Sequence, residues 1–327
     1  MNYSDISILG ATGVVGQTLV SLLSSDSGSL GIKKLRLFAS EKSEGTFISY
    51  KGVPHPVLPL TPQSAKIPAD LVFCCLGDDP ASFYVPLFAK QGAVVIDNSS
   101  VFRLNKDIPL IVPEINGKEL SELFSLSQSG SQNRREAGQA PINRTGKIIS
   151  NPNCSTIITV TAVNALNALS PIRTMTASTY QAVSGAGAGG PIELMNEVEA
   201  LSKGETYEPK VFSHQIAFNL IPQIGSEQFE GYTSEEMKMQ NEGRKIMHLP
   251  DLKVSCTCVR VPVVRSHSIS VSLHFDRPIS VQEARETIAK APGCRLVDDL
   301  AKKETFHGYG PEQGYDFARE GIRKYYQ

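Results

Sequence analysis

Two apolar runs in this chain meet at an Asn-Pro-Asn turn, and few folds accommodate that junction. Ile148-Ile149-Ser150 stops at Asn151-Pro152-Asn153, Cys154 follows, and the stretch from Thr156 to Leu169 is unbroken and rich in Ala, Val and Leu. Pro152 biases Asn151 away from helix, while Asn153, Ser155 and Thr156 can each cap one, so strand, tight turn, helix is the expected order. Cys154 then stands at a helix N-terminus. Unpaired amide N–H groups and the positive end of the helix dipole favour a thiolate there, which predicts a thiol pKa below the free value of about 8.5. Cysteine is among the most buried residue types and is often inert packing; its position at a polar turn is what argues for a nucleophile.

At 327 residues the chain is long enough for two domains with separate cores. The expected organisation is a nucleotide-binding domain over 1–150, a catalytic α+β domain over 151–290 and a tail over 291–327. With 41% hydrophobic and 20% charged residues it reads as an ordinary globular protein, and 32 Lys plus Arg against 33 Asp plus Glu leave no basic field for nucleic acid or a membrane surface. No apolar run approaches the roughly 20 residues of a bilayer span, and Met1-Asn2-Tyr3-Ser4-Asp5 does not read as a leader, so a cytoplasmic protein is expected. Most of the six cysteines lie in strand-like apolar runs, which fits reduced thiols. Cys256 and Cys258 share one face of an alternating strand; without a further pair at metal spacing they read as packing, and no metal site is expected.

Taken in order, Ile6 to Leu9 is a short strand followed by Gly10-Ala11-Thr12-Gly13-Val14-Val15-Gly16 and a helical pattern from Gln17 to Leu23. Strand, glycine turn and helix form the first unit of a Rossmann-like dinucleotide-binding fold, in which phosphates rest on the helix N-terminus. The strand Leu35 to Ala39 ends not in Asp or Glu but in Ser40-Glu41-Lys42-Ser43. Hydroxyls and a lysine suit a 2′-phosphate, which favours NADP, with Glu41 out of keeping. Asp70 to Gly77 and Ala93 to Asp97 read as further buried strands around a helix from Pro80 to Lys90, and the Asn98 to Arg103 loop lies at a strand's carboxyl end, where open parallel sheets bind ligands. Residues from Ser125 to Thr145 are polar and aperiodic and read as a surface insertion. Beyond Cys154, Thr174 to Val183 alternates as a strand, a glycine-rich stretch runs from Ser184 to Gly190, and helices are expected from Pro191 to Leu201 and from Ser234 to Met247. Two long strands, Lys253 to Val264 and Ser268 to Phe275, flank His267 and read as antiparallel, giving an α+β second domain.

Several of these runs closely resemble the aspartate-semialdehyde dehydrogenases: Asn151 to Thr156, Ser178 to Gly185, Ile216 to Pro222, Gly231 to Lys238, and Cys258 to Val263 continuing to His267. The Gly10 to Gly16 turn and the Asn98 to Arg103 loop match as well, so the likeness covers the chain to about residue 290. It implies an α/β chain with an NADP-binding Rossmann-like domain followed by a substrate and dimerisation domain, acting as a homodimer. It further implies that Cys154 is the nucleophile forming a thioacyl enzyme, that His267 is the acid/base group and that Gln181 orients the acyl group. Asn153, Arg260, Arg103, Lys238 and Glu235 would bind substrate and phosphate, with Arg260 on the substrate carboxylate and Glu235, favoured over Glu236, as the carboxylate near Lys238. Gly10, Thr12, Gly13, Val14 and Val15 would cradle the NADP phosphates, Ser40, Lys42 and Ser43 would meet the 2′-phosphate, and Ser184 and Gly185 would lie by the nicotinamide.

The implied reaction is reductive dephosphorylation of aspartyl phosphate to aspartate semialdehyde, in which sulfur serves both as nucleophile and as leaving group. The resemblance fails over Gly293 to Gln327, which lacks the Lys-Gly-Ala-Ala and Asn-x-x-Gln pattern of the family's closing helix. Two rivals stand beside this reading: an N-acetyl-glutamyl-phosphate reductase, which shares the cysteine and histidine logic, and a non-catalytic remnant with an altered C-terminus.

Overall fold

The computed structural model describes residues 3–25, 31–125 and 146–297. The polar insertion expected over Ser125 to Thr145 lies outside these residues except at its first position, and the C-terminal tail lies outside them from residue 298 onward. The chain divides into two compact units between Pro152 and Asn153.

The first unit begins with β1 (Asp5–Leu9), α1 (Val14–Ser25) and β2 (Lys34–Ala39). A hairpin of β3 (Phe47–Tyr50) and β4 (Val53–Pro59) follows, then β5 (Leu71–Cys74), α2 (Asp78–Lys90) and β6 (Val94–Asp97). Two short helices, α3 (Pro113–Asn116) and α4 (Lys118–Ser125), lead to β7 (Lys147–Ser150). The strands form one sheet in the order β3-β4-β2-β1-β5-β6-β7, parallel throughout except for β3.

Alternation along these strands loads both faces. Ile6, Ile8, Leu35, Leu37 and Phe73 pack with Leu19, Val20 and Leu23 of α1. Leu9, Phe38, Val72, Cys74 and Val95 pack with Ala81, Val85 and Phe88 of α2. Burial on both faces explains why the strands read as continuous apolar runs, and each fully buried Leu, Ile or Phe stabilises the fold by about 1.5–3 kcal/mol. From β1 the chain steps to β2 on one side and returns to β5 on the other, which opens a crevice at the carboxyl end of β1, where the glycine turn lies.

The second unit holds α5 (Cys154–Asn167), β8 (Ile172–Gln181), a 3-10 turn (Val183–Ala186), α6 (Gly189–Ser202), a small ribbon of β9 (Glu227–Phe229) and β10 (Tyr232–Thr233), α7 (Ser234–Met247), β11 (Lys253–Arg260), β12 (Ser268–Phe275) and α8 (Val281–Lys290). Its main sheet has the order β11-β8-β12. Met175, Ala177, Cys256 and Cys258 bury one face against Met239 of α7. The other face is lined by exposed Thr174, Thr176, Ser255, Thr257, Ser268, Ser270 and Ser272.

Three features depart from expectation. The strands before and after His267 are not neighbours: β8 lies between them, parallel to β11 and antiparallel to β12. The first of them stops at Arg260 rather than Val264: Val261 makes the last bond to β8, donating to Gln181 O, and Pro262 has no N–H to continue the ladder. The β3–β4 hairpin has no counterpart in the sequence reading. Pro54, Pro56 and Pro59 within β4 argue against a strand; Pro54 and Pro56 precede the stretch that pairs with β2, Val57 to Pro59, and Pro59 closes it.

Gly16 packs α1 onto the turn after β1: a Cβ there would lie 2.2 Å from Gly10 O and 2.7 Å from the Ala11 Cα. Both are backbone atoms and cannot swing aside. Gly16→Ala is therefore expected to lower stability by about 1–3 kcal/mol, read as a drop in urea midpoint at unchanged m-value.

Candidate active site

Asn153 caps α5, its Oδ1 accepting the N–H groups of Ser155 (3.0 Å) and Thr156 (3.1 Å). That makes Cys154 the first helical residue, as the turn chemistry predicts. The turn is also clamped from the side. Asn153 donates its backbone N–H to Glu242 Oε2 at 2.7 Å and its side-chain amide to Glu235 Oε1 at 2.9 Å. Asn153, expected to touch substrate, thus has both ends of its side chain engaged within the protein.

Glu235 gathers the neighbouring groups. Its Oε1 also accepts from Gln181 Nε2 at 3.0 Å, and its Oε2 accepts from Lys238 Nζ at 3.1 Å. Thr179 donates to Gln181 Oε1 at 3.0 Å, which settles which end of that buried amide faces which partner. Burial pushes the Glu235 carboxyl up, yet Lys238 and the hydrogen bonds from Asn153 and Gln181 outweigh it and hold the group below its usual range, as a carboxylate.

Cys154 Sγ lies 3.2 Å from His267 Nε2, bringing together two residues 113 positions apart. The segment after β11 carries His267 back over the end of β8, and Ala182 donates its backbone N–H to His267 Nδ1 at 3.0 Å. Arg260, the last residue of β11, is buried, donates to Ala182 O at 2.7 Å and sits with its guanidinium carbon 5.9 Å from the centre of the Phe212 ring. Gly185 borders both side chains: a Cβ there would come within 2.7 Å of Arg260 Nη1 and 3.5 Å of His267 Cε1. Ser184 is held by donating its backbone N–H to Val264 O at 3.2 Å.

One electrostatic expectation is overturned. The Cys154 thiol is raised above its ordinary value rather than lowered: the residue is exposed, but the protein on the inner side of the sulfur partly desolvates it and the Glu235 charge adds to the effect. The amides at the start of α5 pull the other way and are outweighed. His267 is shifted down, by burial first and by the Arg260 charge second, while Glu235 opposes.

The glycine turn belongs to the first unit. Gly10 has φ +78°, and a Cβ on it would press to 2.5 Å from Cys75 O. Gly13 donates to Gly10 O at 3.1 Å, and α1 starts at Val14, so the turn presents a helix N-terminus flanked by Thr12 and Val15. Thr12 Oγ1 lies 3.4 Å from Ser43 Oγ, bringing the turn beside Ser40, Lys42 and Ser43 at the end of β2. These residues fit a dinucleotide: backbone close enough for a pyrophosphate, with hydroxyls and a lysine where an acidic residue would otherwise grip a ribose. Arg103, in the same unit, is buried and donates Nη2 to Asn98 O at 2.8 Å.

Three contributors escaped the sequence reading: Glu242, the Ala182 N–H and Phe212. Only Glu242 left a signal, as an acidic residue at helical spacing from Glu235 and Met239 on the face of α7 that turns inward.

Comparison with known proteins agrees with both units. The sequence profile of the semialdehyde dehydrogenase NAD-binding domain matches residues 5–123, and that of the semialdehyde dehydrogenase dimerisation domain matches 163–306. Aspartate-semialdehyde dehydrogenases from Aquifex aeolicus and Bacillus subtilis are 39% and 37% identical, each over 91% of this chain and 82% and 81% of their own length. The crystal structure of Vibrio cholerae aspartate semialdehyde dehydrogenase II complexed with ASA superposes with a TM-score of 0.77 at 34% identity, covering 90% of this chain and 80% of that one. The matched domains imply a nicotinamide cofactor and a dimerisation module. With a cysteine against a histidine in one unit and a dinucleotide turn in the other, this chain belongs to the aspartate-semialdehyde dehydrogenase family.

Proposed function

We propose that this protein catalyses the NADPH-dependent reductive dephosphorylation of L-aspartyl 4-phosphate to L-aspartate 4-semialdehyde, in the biosynthesis of lysine, threonine, methionine and diaminopimelate. The observation that carries the reading is the 3.2 Å approach of Cys154 Sγ to His267 Nε2 beside the Gln181, Glu235 and Arg260 cluster.

Cys154 attacks the acyl carbon and phosphate departs, leaving a thioester on sulfur. Bound NADPH supplies the hydride that reduces it. His267 serves as the acid/base group, its Nε2 beside Cys154 Sγ and the oxygen of the resulting thiohemiacetal, and Sγ leaves as the aldehyde forms. Gln181, fixed by Thr179 and Glu235, orients the acyl group, and Arg260, fixed by Ala182 O and Phe212, holds the substrate carboxylate. Lys238 and Arg103 take the phosphate, while Glu235 and Asn153 complete the substrate site. Holding the reactants in this way contributes several kcal/mol of the barrier reduction.

Gly10, Thr12, Gly13, Val14 and Val15 carry the cofactor's pyrophosphate, and Ser184 and Gly185 lie by its nicotinamide. Ser40, Lys42 and Ser43 after β2, whose last residue is Ala39 rather than Asp or Glu, support NADP over NAD, with Glu41 between them out of keeping. The dimerisation-domain match and the open, hydroxyl-lined sheet face of the second unit support a homodimer formed through that unit. None of the six cysteines is in a disulfide, which supports a reducing, cytoplasmic setting.

Purified protein is expected to reduce NADP in the presence of aspartate semialdehyde and phosphate, and to be inert with the N-acetyl-glutamate analogue. Cys154→Ala should still bind substrate but lose roughly four orders of magnitude in kcat; near wild-type turnover in this variant overturns the proposal. Lys42→Ala is expected to raise KM for NADPH about five-fold with little change for NADH, about 1 kcal/mol for one exposed charge-assisted contact. Equal changes for the two cofactors would remove Lys42 from the 2′-phosphate site.

A further inference from the structure

We propose that Glu193 is a positioning residue for the substrate-carboxylate site: it fixes the segment that lays Phe212 against Arg260, and so sets the affinity for the carboxylate that Arg260 receives. This rests on the assignment of Arg260 to the substrate carboxylate.

Residues 205–220 form no helix or strand, so no regular ladder satisfies their backbone. Two carboxylates of α6 serve instead. Glu193 Oε2 accepts from the N–H groups of Lys210 and Val211, each at 2.7 Å, and its Oε1 accepts from the N–H of Phe212 at 2.9 Å. About one turn further along α6, Glu197 Oε2 accepts from the N–H groups of Ile216 at 2.8 Å and Ala217 at 2.6 Å. Both glutamates are buried, where a carboxylate is tolerated only if hydrogen bonds replace its water.

The chain clamped in this way meets Arg260 at two places. Phe212 brings its ring centre to 5.9 Å from the guanidinium carbon. Downstream, Ile221 donates its backbone N–H to Arg260 O at 3.0 Å and accepts from Arg260 N–H at 2.8 Å. The ring is also backed by α6, since a Cβ on Gly190 would lie 3.3 Å from Phe212 Cζ. One end of α6 therefore fixes both the backbone and the edge of the same phenylalanine. An aromatic face attracts a guanidinium more strongly where water is excluded, and Arg260 is buried.

A carboxylate suits this task because both its oxygens accept and neither donates. Glutamine at position 193 would turn an amide NH2 toward the N–H of Phe212 or toward those of Lys210 and Val211. Donor would then face donor, and that part of the segment would be released. Arg260 would keep its bonds to Ala182 O and Ile221 but lose the fixed ring beside its guanidinium.

The test is steady-state kinetics of the full-length protein with aspartate semialdehyde, phosphate and NADP. Glu193→Gln is expected to raise KM for aspartate semialdehyde about five-fold, with kcat and the KM values for phosphate and NADP within about two-fold of wild type. Phe212→Leu, which keeps apolar bulk without the aromatic face, should show the same split, and the double variant should be no worse than the weaker single one. An unchanged KM for the aldehyde, equal rises in all three KM values, or effects that multiply in the double variant overturn the proposal. A second reading needs no substrate: the Arg260 Nε–H resonance in protein labelled with 15N-arginine, assigned by its loss in Arg260→Lys. Glu193→Gln should move it toward its position in Phe212→Leu, whereas Glu199→Gln, on the exposed side of α6, should leave it in place. A resonance that Glu193→Gln leaves unmoved overturns the proposal. Glu193→Asp, which draws the carboxylate back by one methylene, is read in the same ways if the glutamine variant does not fold. Wild-type protein without aspartate-semialdehyde turnover removes the assigned reaction and leaves the resonance to decide this inference; normal turnover with an unmoved resonance removes this inference alone.

Discussion

Glu235 and Glu242 lie seven residues apart on α7, two turns of helix, and both carboxylates reach the Asn153 turn, one at its side chain and the other at its backbone. Burying a carboxylate costs several kcal/mol unless hydrogen bonds replace its water. Here the replacement comes from the segment that presents the nucleophile and from Gln181, the last residue of β8. Docking of α7 and placement of the sulfur are therefore one event, because neither the helix face nor the turn is satisfied alone. Met239 and Ile246 supply the apolar part of the same face, so packing holds α7 in position while the carboxylates set its register.

The second unit thereby keeps positive and negative groups in a fixed order around the sulfur. Lys238 and Arg260 flank the Glu235 charge, and Arg260 is itself supported by an aromatic face and a carbonyl. The arrangement suits the acyl phosphate of the proposed reaction, which also bears a carboxylate: cations that would receive it, and an anion placed so that they do not collapse onto the thiol. Gly185 is part of the same arrangement, because any side chain there would displace the Arg260 guanidinium.

Much of this was legible in the sequence. Asn-Pro-Asn-Cys fixes its own geometry through local forces, so the cap and the position of Cys154 follow from propensity alone. The glycine turn and the buried strands of the first unit were readable for the same reason, and Ser234 to Met247 is a helix over its expected length because Thr233 and Glu236 form a capping box at its start. What depended on distant neighbours was not legible. Whether β11 pairs with β12 or with β8 is decided by sheet order, which no single strand encodes. The β3–β4 hairpin was hidden by the prolines of β4, which on their own argue against a strand. The direction of the Cys154 shift was misread because the helix end is visible in the sequence, whereas the surrounding desolvation and the Glu235 charge come from residues far along the chain.

The raised thiol has a bearing on survival in air. Hydrogen peroxide and related oxidants attack thiolates and largely spare thiols, so the first step toward sulfenic acid is slowed wherever sulfur keeps its proton. A sulfur shifted toward its protonated form spends less of its time as the oxidisable thiolate than a free cysteine does, even though the residue itself is exposed.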